Sequence, residues 1–299
     1  MGKRINLVVF IDGTGNNDFK NPAAKRTNVA RLWHACENMS SDEVEQQVYY
    51  KPGVGTRLWE LVRGNAMGAY LKDRVYELLS TLNNEISIAR QNNVEAHVYM
   101  FGFSRGAYAV RWLASLLDHD IDVLGVWDTV KATLVGPDVD VLPDKVKHAF
   151  HAIAIDEHRG LFNVTRFRFK NSSQASEVWF PGCHSDVGGG YEEAELSFAP
   201  LNWIARLSVR HGLLIDMSKI DPEPSFADHM PRFHDETSNI FWKFVCCLAT
   251  GDWYFNRSIC VTDVVYPTAD ALRAVGYAPP YLPQNCIAWR DEGFNPMLV

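Results

Sequence analysis

Short apolar runs alternate with amphipathic segments along most of the chain. The run at 5–11 is rich in β-branched residues, which is typical of a parallel strand covered on both faces. Similar runs predict further strands at 46–50, 96–101, 121–127, 163–169 and 177–181. Apolar residues with helical spacing predict helices from Val29 to Met39, from Met67 to Ile86, and over 104–117, 144–155 and 198–213.

This alternation predicts an α/β fold with a mostly parallel sheet and helices on both faces. Residues 220–299 are less periodic and richer in Pro and aromatic side chains. We expect them to decorate a single domain spanning 1–299 rather than to form a second domain. In a sheet of this kind, ligands bind beyond the carboxyl ends of the strands, so polar residues at those ends are candidates for chemistry.

Composition and charge narrow the class of protein. Of 299 residues, 47% are apolar and 22% are charged, which is typical of a globular chain that buries its own core. The formal net charge of −7 lacks the basic excess that binds phosphates, so no nucleic-acid partner is expected.

Cysteine spacing and apolar run length indicate the compartment. The six cysteines include no C-x-x-C pair, so neither a zinc site nor a disulfide scaffold is predicted. The apolar run before Asp12 is too short for a secretory signal, and no stretch approaches the roughly 18 residues of a membrane span. We therefore expect a protein that is cytoplasmic as synthesised.

The strongest chemical signal is a G-x-S-x-G motif at Gly102, Ser104 and Gly106, between a predicted strand and a predicted helix. This setting is typical of a nucleophile elbow, where glycines permit a turn in which side chains would collide with neighbouring elements. Ser104 is thus the predicted nucleophile. The helix N-terminus and the N–H of Arg105 would stabilise negative charge on an attacked carbonyl oxygen. The alternative is an ordinary helix N-cap serine.

A nucleophilic serine needs a histidine base, which an acid orients. His184 is the candidate base because it follows the predicted strand 177–181 in a glycine-rich loop, although a simple turn role is the alternative. His148 and His151 fall on the predicted helix 144–155, where a surface or core role is favoured.

Asp128 is the favoured acid, because it directly follows the strand 121–127 and lies between the serine and the histidine in the chain. Asp186 is an alternative, but its loop would have to fold back toward His184. Asp12 is a second alternative, although it precedes the serine and could simply begin a turn.

The loop after the first predicted strand is the expected source of a second oxyanion donor. Gly13 and Thr14 are the candidates, since glycine lets a backbone N–H approach the substrate closely. A plain turn is an equally good interpretation of these two residues.

Four segments, FIDGTGN, FGFSRGAYAVR, GVWDTV and WFPGCHSDVGGGY, together resemble the catalytic domain of the first family of type VI secretion lipase effectors. The resemblance runs from about residue 5 to about residue 215. It implies an α/β-hydrolase fold and ester hydrolysis without a cofactor or metal, with a phospholipid as the leading substrate. Matched by motif, the family's triad falls on Ser104, Asp128 and His184. For a secreted effector, it further implies delivery to another cell and an immunity protein as partner.

Two other functions are weighed against a serine hydrolase. FIDGT is similar to the start of haloacid-dehalogenase-like phosphohydrolases, with Asp12 as the nucleophile and a required metal. Those enzymes need a second Asp two residues later, where this chain has Thr14. The other alternative is a non-catalytic binding module on the same fold, because a fold does not determine a function.

Two apolar stretches are candidates for a lid or a peripheral membrane contact. They are 55–68, which contains Trp59, and 241–255, which contains Trp242 and Trp253. Ordinary core packing or a subunit contact is the favoured interpretation of both.

Overall fold

A computed structural model describes residues 3–20, 22–37, 39–53, 64–131, 136–169, 174–226, 229–238 and 254–290. The described strands are β1 (Arg4–Ile11), β2 (Val44–Lys51), β3 (Glu95–Phe103), β4 (Ile121–Trp127), β5 (Val146–Ala154), β6 (Ala175–Phe180), β7 (Val264–Val265) and β8 (Ile287–Ala288). The described α-helices are α1 (Asn28–Cys36), α2 (Gly64–Gln91), α3 (Arg105–Leu116), α4 (His184–Gly188), α5 (Glu195–Arg210) and α6 (Thr268–Ala274).

All eight strands pair in parallel, in the order β2-β1-β3-β4-β5-β6-β7-β8. The central strands are apolar along their length because both faces of the sheet are covered, and every residue of β4 is buried. Side chains of α2 and α3 pack on one face, and side chains of α1 and α5 pack on the other. The predicted mostly parallel sheet with helices on both faces is confirmed.

The predicted helix over 144–155 is wrong, since these residues form β5 between β4 and β6. Seven of its nine residues are buried, including Phe150 and His151. A continuous apolar run of this length cannot be assigned to a helix or a buried strand from periodicity alone. His148 and His151 therefore lie on a strand rather than on a helix.

The predicted strand over 163–169 is also wrong. Val164 and Arg168 form only isolated bridges, to Val130 and Val141. The buried guanidinium of Arg111 donates to the carbonyls of residues 165 and 166, which a neighbouring strand would otherwise satisfy. The local alternation of apolar residues thus reflects packing against α3 rather than membership of the sheet.

Residues 220–299 contribute β7, β8 and α6, so part of this segment extends the sheet beyond β6. That residues 1–299 form a single domain, which residues 220–299 decorate, stays a prediction. Of the two apolar stretches that are candidate lids, residues 55–63 and 241–253 lie outside the described residues. Among the residues that are described, no helix combines the length and the apolar character needed to cross a membrane.

Candidate active site

Ser104 lies at a sharp turn between β3 and α3. Its backbone has φ 59° and ψ −124°, a conformation that costs energy for a residue with a side chain. A Cβ atom on Gly102 would come within 2.6 Å of the Gly106 carbonyl oxygen, and one on Gly106 within 2.2 Å of the Ile11 carbonyl oxygen. The predicted collisions at the two flanking glycines are confirmed, and the turn holds Ser104 in a strained geometry.

Asp128 follows the last residue of β4 and is fully buried, with a positive φ of 40°. Its carboxylate accepts a hydrogen bond of 3.0 Å from the N–H of Ala154. The Arg257 guanidinium binds both carboxylate oxygens, with 2.9 Å between Nη2 and Oδ2. The acid is therefore held in one orientation from both β5 and the C-terminal part of the chain.

His184 begins the short helix α4, directly after the turn that follows β6. Its Nδ1 lies 2.6 Å from Oδ2 of Asp128, and its ring is buried between aromatic side chains. The ring centroid of Phe103 is 4.6 Å away, and that of Phe162, which meets the imidazole edge-on, is 5.0 Å away. The carboxylate and the two aromatic rings fix the plane of the imidazole.

Burial and charge act in opposite directions on the two members of this pair. Burial alone would raise the pKa of the Asp128 carboxyl, but the Arg257 charge and the hydrogen bonds from His184 and Arg257 hold it well below its usual range. Burial lowers the pKa of His184, against the opposing effect of Asp128. At neutral pH the pair is thus a carboxylate beside a neutral imidazole, which is the protonation state of a general base.

A pocket of about 180 Å³ lies beside Ser104 and His184. It is lined by Thr14, Asn16, Phe103, Ser104, Arg105, Arg159, Phe162, His184, Ser185, Tyr191 and Glu236. Of the candidate oxyanion residues, Thr14 and Arg105 line the pocket. The Gly13 N–H instead donates to Oδ1 of Asp12 at 2.7 Å, so this donor is already engaged.

Asp12 connects the end of β1 to its neighbours. Its Oδ2 accepts hydrogen bonds from the hydroxyls of Thr27, at 2.9 Å, and Tyr50, at 2.8 Å. Thr27 in turn caps α1 by accepting from the N–H of Ala30. Burial raises the pKa of Asp12 to about 6, although these hydrogen bonds oppose the shift. Asp12 thus acts as a structural tie, meaning a buried side chain whose hydrogen bonds connect β1 to Thr27 and Tyr50. These hydrogen bonds do not place Asp12 against His184.

Asp186 pairs with a different histidine. Its Oδ1 lies 2.7 Å from Nδ1 of His234, and its Oδ2 accepts from the N–H of Cys183 at 3.0 Å. The His234 ring stacks on Tyr191, with centroids 3.8 Å apart. Asp186 thus attaches residues 229–238 to the rim of the pocket, while Asp128 holds the imidazole of His184.

Sequence reasoning missed Arg257 and misassigned His151. The N–H of Thr129, next to the acid, donates to Nε2 of His151 at 3.1 Å, and Nδ1 of the same ring lies 3.0 Å from Glu177. His151 is therefore a buried support for the turn that carries Asp128. Arg257 lies in a segment without periodicity, and no local motif marks it.

A second charged pair borders the pocket. Glu157 binds Arg159 through both oxygens, at 2.9 Å from Nε and 2.8 Å from Nη2, and also accepts from the N–H of His184 at 3.3 Å. The Arg159 guanidinium carbon lies 3.6 Å from the centre of the Phe162 ring. The cation is thus held in a fixed position on the wall that also contains His184.

Comparison with known proteins identifies the family. The family model for the type VI secretion (T6SS) phospholipase effector Tle1-like catalytic domain matches residues 5–120 and 117–207. The chain belongs to this family. The resemblance seen in its motifs and the predicted α/β-hydrolase-like fold are both confirmed. The Tle1-like region contains the elbow, Asp128 and His184, whereas Arg257 lies beyond it.

Individual relatives of this Tle1-like chain share between 20% and 31% sequence identity with it. An uncharacterized Saccharomyces cerevisiae protein is 31% identical over 123 residues, which cover 38% of this chain and 17% of that protein. The crystal structure of an uncharacterized Pseudomonas aeruginosa protein is 21% identical, covering 75% of this chain and 48% of that one, with a TM-score of 0.54. A structure of the Tle1 effector bound to the VgrG spike of the type 6 secretion system is 20% identical, covering 64% and 51% respectively, with a TM-score of 0.45. The chain thus spans about half of the length of the two structural relatives and 17% of the length of the yeast protein.

Proposed function

We propose that the chain is a serine ester hydrolase that cleaves phospholipids through Ser104, Asp128 and His184. The observation that carries the proposal is the 2.6 Å contact between Asp128 and His184 beside a pocket that Ser104 also lines. Membership of a phospholipase effector family supports the lipid substrate.

In the proposed reaction, Nε2 of His184 accepts the Ser104 hydroxyl proton as Oγ attacks the ester carbonyl carbon. The imidazolium then gives this proton to the departing alcohol, leaving an acyl-enzyme. Water, deprotonated by the same imidazole, attacks the acyl group, and the proton returns to Ser104 as the fatty acid leaves. Asp128 keeps Nδ1 protonated throughout and stabilises the imidazolium.

The backbone N–H groups of Arg105 and Thr14 are the proposed oxyanion donors. Arg105 is the first residue of α3, where backbone N–H groups and the helix dipole favour an anion. Thr14 replaces Gly13 in this role because the Gly13 N–H already donates to Asp12. Thr14 and Arg105 both line the pocket that Ser104 lines, which supports this assignment.

The pocket lining has two cations, Arg105 and Arg159, and one anion, Glu236. This lining supports a phosphate-containing substrate over a neutral lipid, even though Glu157 already binds Arg159. Each of the two arginines is at least nine-tenths buried. Burial lowers the pKa of Arg105 to about 10, which still leaves the guanidinium charged at neutral pH. Arginine binds phosphate oxygens well, and a phospholipid carries its phosphate a few bonds from the ester.

The family description also supports a role as an effector that acts in another cell, whereas peripheral contact at a membrane stays a prediction. An immunity protein remains a prediction from the resemblance. In this proposal the chemistry requires no cofactor.

The test is mass spectrometry of phospholipid vesicles incubated with the wild type, Ser104→Ala and a control, Ser115→Ala, on the same helix. We expect the wild type and Ser115→Ala to release fatty acid and lysophospholipid, and Ser104→Ala to lose at least about 1000-fold of the rate. A fluorophosphonate probe should label the wild type and not Ser104→Ala. Hydrolysis by Ser104→Ala within tenfold of the wild type would refute the triad, and absence of both labelling and hydrolysis in the wild type would favour a binding module.

A further inference from the structure

The acid of the proposed triad is in contact with a second, fully enclosed charge. The side chains of Arg257 and Asp128 are 1% and 0% exposed, and the guanidinium meets both carboxylate oxygens. The same guanidinium donates to the carbonyl of Ala154 at 2.8 Å and to the carbonyl of Phe162 at 2.7 Å. Arg257 therefore joins the acid to the end of β5 and to the aromatic wall beside His184.

A lone carboxylate in such a place would be unstable. Removing a charge from water is costly, and the hydrogen bonds from His184 and the Ala154 N–H offset only part of this cost. Without Arg257, a proton would be drawn either to Asp128 or to His184, and both states disable a general base. A bidentate guanidinium supplies the missing positive charge and also fixes the plane of the carboxylate.

We propose that Arg257 is a positioning residue of the catalytic site, which keeps Asp128 ionised and aims its Oδ2 at Nδ1 of His184. This inference rests on the proposed triad. It assigns a direct part in the site to residues beyond the matched Tle1-like region, which ends at residue 207.

The other charges near the pair cannot take over this role. Glu157 and Arg159 form a mutually compensated pair beside His184, and Glu157 contacts its backbone N–H rather than the imidazole. His151 is buried near Asp128, but its ring is committed to Thr129 and Glu177. Arg257 is thus the cation that binds the Asp128 carboxylate directly in the part of the chain that is described.

Two substitutions separate the charge of Arg257 from its geometry. Arg257→Met removes the charge, so the buried pair retains an excess negative charge and takes up its proton at higher pH, whichever residue holds it. We expect the acid limb of kcat/KM to move upward by about one pH unit or more. Arg257→Lys keeps the positive charge but loses the bidentate geometry of the guanidinium. Its acid limb should therefore stay within about 0.3 pH units of that of the wild type, while kcat falls about 10- to 100-fold.

Arg111→Met is the matched control, because it also removes a buried arginine, one that binds the carbonyls of Val139, Thr165 and Arg166 instead of the Asp128 carboxylate. Its acid limb should coincide with that of the wild type. Rates of fluorophosphonate labelling from pH 5 to 9 give a second readout that does not depend on lipid binding, and circular dichroism checks the fold of each variant.

The inference would be overturned if folded Arg257→Met showed the same acid limb of kcat/KM as the wild type. It would also be overturned if the acid limb of Arg111→Met moved as far as that of Arg257→Met. If Arg257→Met fails to fold, Arg257→Lys decides, because a kcat equal to that of the wild type would exclude a positioning role. Failure of the wild type to hydrolyse esters or to be labelled at Ser104 would instead refute the proposed function itself.

Discussion

The buried carboxyl of Asp12 should lower the stability of the protein as pH rises, and Asp12→Asn should remove this effect. The folded pKa of Asp12 is about 6, against 3.8 for the free group, so the folded state binds the proton more tightly than the unfolded state does. For a carboxyl whose pKa is raised, folding stability is highest below the unfolded pKa and falls as pH rises toward the folded pKa. The loss is nearly complete one unit above the folded pKa, at about pH 7.

The magnitude follows from the shift. A difference of about 2 units corresponds to about 3 kcal/mol at 1.36 kcal/mol per unit, and roughly half of it develops between pH 5 and pH 8. An asparagine at this position can still accept from the Gly13 N–H, and its amide can donate to the hydroxyls of Thr27 and Tyr50, which rotate to accept. The substitution therefore removes the charge and preserves the connections.

The assay is equilibrium urea unfolding of wild type and Asp12→Asn at pH 5, 6.5 and 8. Because every other titrating group is shared, the difference between the two unfolding free energies isolates Asp12. We expect the unfolding free energy of Asp12→Asn, relative to that of the wild type, to rise by about 1.4 kcal/mol from pH 5 to pH 8. A difference that stays flat, or that shifts in favour of the wild type, would refute this account.

The same variant separates the proposed function from a phosphohydrolase with Asp12 as nucleophile. If Asp12 is a structural tie, ester hydrolysis should stay within about tenfold of the wild type. A nucleophilic carboxylate could not be replaced by an amide, and the variant would then be inactive.

Two further predictions concern the turn and the pocket. Gly106→Ala should lower the free energy of unfolding by at least about 3 kcal/mol, because its Cβ would meet the Ile11 carbonyl oxygen at 2.2 Å. Urea unfolding measures this loss, and a value below about 1 kcal/mol would contradict the close packing of α3 on β1. Glu236→Gln removes a negative charge from the pocket. We therefore expect KM for an anionic phosphatidylglycerol to fall up to about fivefold and KM for a neutral p-nitrophenyl ester to stay unchanged. An equal change of KM for both substrates would argue against a phosphate near Glu236.

The sequence was sufficient for the features that depend on local pattern. The elbow was identified because its three fixed positions lie between a strand and a helix, and Asp128 was chosen because it ends a strand at the edge where ligands bind. The structure brings Ser104 and His184 to one pocket and places Asp128 against His184, although their roles stay proposals. Gly13 could not be judged in advance, because its N–H is engaged by the side chain of the preceding residue.

Other features depend on contacts that no local pattern records. The run around His151 is apolar on both sides, so a buried strand was mistaken for a helix. Glu157 and Arg159 were not singled out, because an ion pair two residues apart is common on surfaces and gains importance here from burial. Arg257 reaches its partner across 129 residues of sequence, and only the folded chain shows the contact.

That separation of 129 residues has a consequence for the order in which the protein matures. Chains emerge from the ribosome N-terminus first, and contacts between distant segments form late. A nascent chain that has exposed Ser104, Asp128 and His184 still lacks the guanidinium from residue 257, so its buried acid is uncompensated. In the proposed mechanism, full ester hydrolysis would require synthesis to have passed residue 257.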